Sequence, residues 1–138
     1  MNLIARILVA LFIAWAAFAD KLIADPFSQV NLRAGLISAL QQHPLILDFY
    51  TENDYNLFWF GNNAVASQRR AELINSLKSA SFHGLPEKKY RVNTLVGKLS
   101  TSDSLFEVGL LEGLFMIAFI EYASDLDTGV LIPSEVDT

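Results

Sequence analysis

No cysteine occurs anywhere in the chain. That excludes disulfide staples, a thiol nucleophile, thiolate metal sites and a lipid-modified cysteine anchor. Histidine is almost as scarce: His43 and His83 are the two in the chain. They fit neither HExxH nor any other paired metal spacing. No G-x-S-x-G turn is present, so the serine elbow of the α/β hydrolases is missing too. Basic groups are few: ten Lys and Arg stand against fifteen Asp and Glu, a net charge of −5. An acidic balance argues against nucleic acid as partner. These absences predict a chain with no cofactor, no metal and no catalytic residue of its own.

What is present starts with an apolar leader. Residues 1–19 read MNLIARILVALFIAWAAFA. Arg6 supplies a short positive region, Ile7 to Phe18 an uncharged apolar run, and Ala17-Phe18-Ala19 the small-x-small pattern of a cleavage site. The expectation is a secretory signal peptide cut before Asp20. The alternative is a retained N-terminal anchor, although the run is short beside the roughly 20 residues of a full span. Residues 20–138 then form one small helical domain with nine basic and fifteen acidic side chains. Without disulfides it must be held by its core alone.

The spacing of apolar residues predicts a mainly α fold, a compact bundle of about five helices behind the leader helix. Val30, Leu36, Ile37 and Leu40 mark a helix over 28–42, stopped by His43-Pro44. Leu45 to Glu52 reads as a short second helix. Asn53-Asp54 is a turn, and Tyr55 to Phe60 an aromatic extended segment. A third helix runs from about Val65 to Ser81, with Leu73, Ile74, Leu77 and Ala80 inward. Within "SASFHGLPEKKY" (79–90), Gly84 stops that helix and Pro86 starts a fourth, which runs to about Leu99 with Tyr90, Leu95 and Val96 inward. Ser104 and Glu107 form a capping box for a fifth, from Leu105 to about Ser124. Leu126 to Thr138 reads as irregular. His43 and His83 both fall at helix ends, where they can meet the last carbonyls and complement the dipole.

The apolar segment 105–124 is not read as a membrane span, because Glu107, Glu112 and Glu121 would each be costly there. Gly109 and Gly113 instead predict close approach by another helix. The three glutamates do not share one helical face, so they are not read as a paired acid and base. Tyr50, Tyr55, Trp59 and Phe60 could stack on sugar rings, but an aromatic core cluster explains them as well. Residues 67–98 hold seven basic and two acidic groups, and 99–138 eight acidic and no basic ones. Two solvated faces of opposite sign account for that split; the sharper reading places helices three and four beside helix five with complementary charge.

Three motifs follow in order. They are FYTENDYNLFW (49–59), LINSLKSASFHGLPEKKY (73–90) and ASDLDTGVLIPSEVD (123–137). Together they resemble the N-terminal scaffold domain of the large periplasmic murein L,D-transpeptidases, over about residues 43–138. The residues that carry the resemblance are Phe49, Tyr50, Asn53, Tyr55 and Trp59; then Ala80, His83, Gly84, Leu85, Pro86 and Tyr90; then Glu107, Tyr122, Asp125, Leu126, Gly129 and Pro133. Two departures are the adjacency of Leu85 and Pro86 and the hydrophobic Val130, where many members carry arginine. The resemblance implies a periplasmic scaffold that packs beside a cysteine-dependent catalytic domain making peptidoglycan crosslinks. That domain and the peptidoglycan-binding module have no counterpart in these motifs, so the chain is expected to be the scaffold portion alone. Its expected partners are the catalytic domain, in cis or in trans, and peptidoglycan. The rival expectation is a stand-alone envelope protein that binds glycan; a third is an inner-membrane protein.

Overall fold

The computed structural model describes residues 2–15 and 26–129. The leader's cleavage pattern at Ala17 to Asp20, and Val130 and Pro133 of the last motif, lie outside the described residues. Among the described residues the chain is helical without strands. Six α-helices follow in order: α1 (Leu3–Trp15), α2 (Pro26–Leu40), α3 (Pro44–Glu52), α4 (Ala64–Lys78), α5 (Val92–Thr101) and α6 (Leu105–Thr128). Two short 3₁₀ turns, Ala80–His83 and Glu87–Tyr90, join α4 to α5.

Helix α6 is the axis of the molecule. It starts with the expected capping box: Ser104 Oγ accepts the Glu107 N–H at 3.2 Å, and Glu107 Oε2 accepts the Ser104 N–H at 3.1 Å. That side chain also accepts the Asp103 N–H at 2.8 Å, and these donors hold its carboxyl below the usual range. The helix runs on past Ser124 to Thr128, so residues 126–128, expected to be irregular, belong to it. Leu111, Phe115, Met116, Ala118 and Ile120 are buried along its length. Each large apolar side chain so buried contributes about 1.5–3 kcal/mol.

Helix α2 lies along α6 at backbone distance. A side-chain carbon on Gly35 would overlap the Phe106 carbonyl, and one on Gly109 would overlap the Leu32 carbonyl. One on Gly113 would stand 2.6 Å from the Ala39 methyl. The glycine pair of α6 thus admits a neighbouring helix, as its spacing predicts. The face of α2 that meets α6 is Leu32, Gly35, Leu36, Ala39 and Leu40, at the i, i+3, i+4 recurrence of one helical stripe. Leu36 and Leu40 are buried, whereas Val30 and Ile37, which share in the spacing that marks the helix, are exposed. Two of the five residues of that stripe, Gly35 and Ala39, are small, and hydrophobicity alone does not mark them.

The link between α4 and α5 also departs from expectation. Helix α4 ends at Lys78 rather than Ser81, and Gly84 takes its left-handed turn (φ 71°) after the 3₁₀ turn Ala80–His83. A single helix over 86–99 does not form. Arg91 stands in the left-handed region (φ 52°) between the 3₁₀ turn Glu87–Tyr90 and α5. Tyr90, Val92 and Leu95 are all buried. In an unbroken helix Tyr90 and Val92 would point about 200° apart. The break turns both inward, at a cost of roughly 1–2 kcal/mol for a non-glycine residue in that region.

Candidate functional site

The middle and last thirds of the chain meet at Glu112. Its side chain is 0% exposed in the middle of α6. Oε1 accepts the Tyr50 hydroxyl at 2.5 Å and the Phe58 N–H at 2.7 Å. Oε2 accepts the Trp59 N–H at 2.9 Å and the Phe60 N–H at 3.0 Å. Three successive amides therefore wrap one carboxyl group, as backbone nests do around anions. The carbonyls of the same segment face α4. Arg69 Nη1 donates to the Phe58 carbonyl at 3.2 Å, and Arg70 Nη1 donates to the Trp59 carbonyl. The two guanidiniums also lie over rings, Arg69 at 4.1 Å from the centre of Phe58 and Arg70 at 4.6 Å from that of Phe60. The segment 58–60 has no helix or strand of its own to satisfy it. Side chains of α4 and α6 do so instead.

Burial and hydrogen bonding oppose each other at this carboxyl. Removal from water favours the neutral form, while four donors favour the anion. Burial wins, and the Glu112 pKa is pushed up to about 7. Burial first, then the adjacent carboxyl group, raise Tyr50 well above its ordinary value, so its hydroxyl stays a donor.

A second tie joins the other two motifs. Asp125, buried in the last turns of α6, accepts the Tyr90 hydroxyl at 2.7 Å and Lys89 Nζ at 2.7 Å. The Tyr90 ring meets Tyr122 edge-on at 5.5 Å between centroids. A carboxylate near a helix C-terminus opposes the dipole, and the Lys89 ammonium offsets it. Lys89 is 42% exposed, so solvent screens its part of the pair. It pairs the basic segment 67–98 with α6 through the 3₁₀ turn Glu87–Tyr90. Asp125→Ala strips the buried Tyr90 hydroxyl of its acceptor and should lower stability by about 2 kcal/mol in urea titration. Asp125→Asn, which keeps an acceptor oxygen, should cost clearly less.

Several of the remaining motif residues serve the fold as well. Leu85 is buried, Pro86 half-buried and Gly129 caps α6 with φ 69°. Asn53 Nδ2 closes the end of α3 on the Phe49 carbonyl at 2.7 Å. Tyr55 is half-buried below the Arg33 guanidinium, 4.8 Å from its ring centre. Trp59 is 3% exposed, packed against Phe58, Phe115 and Phe119. A ring so enclosed has no face for a sugar, and the indole N–H finds no acceptor among the described residues. His83 is exposed, and its ring makes no hydrogen bond among the described residues. His43 takes the N-cap position of α3 without a side-chain cap bond, so neither histidine meets the helix carbonyls expected of it.

The residues that sequence reasoning missed are Glu112 as an anchor, with Lys89, Arg69 and Arg70. The one available signal was an acid amid the apolar run Gly109–Phe115. Glu107, Glu112 and Glu121 have three separate settings: a helix cap, the core and the rim of a cleft. That cleft, about 370 Å³, is lined by Ile4, Pro44, Ile46, Ile117 and Ile120, with His43, Lys89, Glu121 and Asp125 among its polar residues. Among the described residues no group of His, Asp and Glu could hold a metal ion. No described helix is long and apolar enough to cross a membrane. A family model described as "Scaffold domain" matches residues 44–138. Comparison with curated proteins and with solved structures returns no match.

Proposed function

This chain belongs to the scaffold-domain family, and on that premise we propose that it is the non-catalytic scaffold of a murein L,D-transpeptidase-like protein. In this reading it is secreted to the periplasm and works in peptidoglycan crosslinking by packing beside a cysteine-dependent catalytic domain. The observation that carries the proposal is the use made of the three ordered motifs. Tyr50 is tied through Glu112 to α6, and Tyr90 through Asp125 to the same helix. Residues with the look of a site are spent on holding a rigid shape. The acyl-transfer chemistry would come from the partner, whose nucleophile this cysteine-free chain cannot supply.

The test is a crosslinking assay. The chain alone, mixed with stem-peptide donors, should yield neither crosslinked product nor thioester. Added to a purified L,D-transpeptidase catalytic domain, it should form a complex on gel filtration. Turnover by the chain alone would sink the proposal, and so would failure to associate.

A further inference from the structure

Helix α1 packs on α3 and α6. Leu8 is buried in the common core, with Ile4 and Ile7 against it. Val9 on the same helix is 47% exposed, and Arg6 and Ala10 are exposed too. An apolar helix thus lies in an apolar groove with part of its own apolar surface left in water. That is a loose fit for a permanent core element and a natural one for a removable segment. Ile4 also forms one wall of the 370 Å³ cleft, whose other apolar walls, Ile46, Ile117 and Ile120, come from α3 and α6. The exposed Leu45 also lines that cleft, and lifting α1 away would remove its Ile4 wall. Surface of that kind marks an interaction site.

We infer that the groove between α3 and α6 is the seat of a helix from the partner domain, and that α1 holds it only until the leader is removed. The inference rests on the reading of the chain as a secreted scaffold and adds where the partner sits. The occupant is specified by what α1 shows to fit: an apolar helix with isoleucine or leucine at i, i+3 and i+4. Charge adds one requirement. Glu121 at the rim is half-buried and pairs with no cation among the described residues. A lysine or arginine of the incoming helix would meet it there, on a segment (99–138) that carries eight acidic and no basic residues.

The lack of cysteine makes the test simple, because an introduced thiol is the only one in the chain. Ile117→Cys places it in the cleft, and Leu77→Cys places it in the buried face of α4 as a report on folding. Maleimide labelling is followed in the full chain before and after cutting by signal peptidase. The expected result is at least a tenfold faster reaction at position 117 after cutting, with position 77 still protected. Equal rates at 117 before and after would overturn the inference. Faster labelling at both positions would also overturn it, since α1 would then be a permanent part of the core. A transpeptidase catalytic domain is next added to the cut chain. A complex in which position 117 is slow again supports the seat. A complex with 117 still fast rejects this seat and leaves the scaffold reading standing. No complex at all rejects the scaffold reading, and the partner half of the inference with it.

Discussion

Replacing Glu112 with alanine is expected to leave the chain largely unfolded in water. The change strands the Tyr50 hydroxyl and the amides of Phe58, Trp59 and Phe60 away from solvent. A buried donor left without a partner costs about 1–3 kcal/mol, and four are involved. Even at about 1 kcal/mol each, the loss approaches the entire 5–15 kcal/mol that holds a typical domain together. Far-ultraviolet circular dichroism with a urea titration would read it. A cooperative transition within about 1 kcal/mol of the parent would show that water takes over the four donors, contrary to the burial argument. The same carboxyl sets a pH dependence. Its pKa lies at about 7 in the fold against 4.5 in the open chain. The folded state therefore holds the proton more tightly, and between those values folding takes one up. The stabilisation is fully present below about pH 4.5, falls as pH rises and is gone above about 7. Glu112→Gln should lose that slope. It should also be weaker than the parent at about pH 5, because its amide NH₂ group turns toward backbone donors.

Gly109→Ala is expected to be the next most damaging change. One methyl group there meets the Leu32 carbonyl of α2, a backbone atom that can yield only if the whole helix shifts. Overpacking a tight core typically costs about 1–3 kcal/mol and sometimes more. The upper end is expected here, because the obstruction is main chain on both sides. Gly97→Ala provides a contrast of opposite sign. It lies in α5, exposed, with nothing within 4 Å of the new carbon. Alanine there should add about 0.5–1 kcal/mol through the lower entropy of the unfolded chain. Thermal unfolding of the two variants side by side tests both signs. A Gly109→Ala protein as stable as the parent would mean that α2 and α6 do not cross at backbone distance.

These two positions also show what can be read from a sequence. The 109/113 glycine spacing and the Ser104/Glu107 box are local patterns whose physics is complete within a few residues, and each appears where expected, whereas the Gly84 turn closes a 3₁₀ turn rather than α4 itself. The face of α2 was not legible, because hydrophobicity marks Val30 and Ile37, whereas close packing selects Gly35 and Ala39. The break at Arg91 has no glycine or proline to announce it. It is imposed by two side chains, Tyr90 and Val92, that both gain from burial. Glu112 was legible as an oddity, an acid in the most apolar helix of residues 20–138. Its meaning lay in three amides more than fifty positions upstream, and no local pattern carries that.

The central place of α6 has a consequence for the order in which the protein comes together. Tyr50 and Glu112 are 62 positions apart, and Tyr90 and Asp125 are 35 apart. Gly35 of α2 closes on Phe106 over a longer span still. Each of these loops must shut before its contact returns anything, and all of them shut on the last described helix. A nascent chain that has not yet released residues 105–128 therefore has almost nothing to fold around. It stays open while it is synthesised and collapses in one late step once its final helix is free.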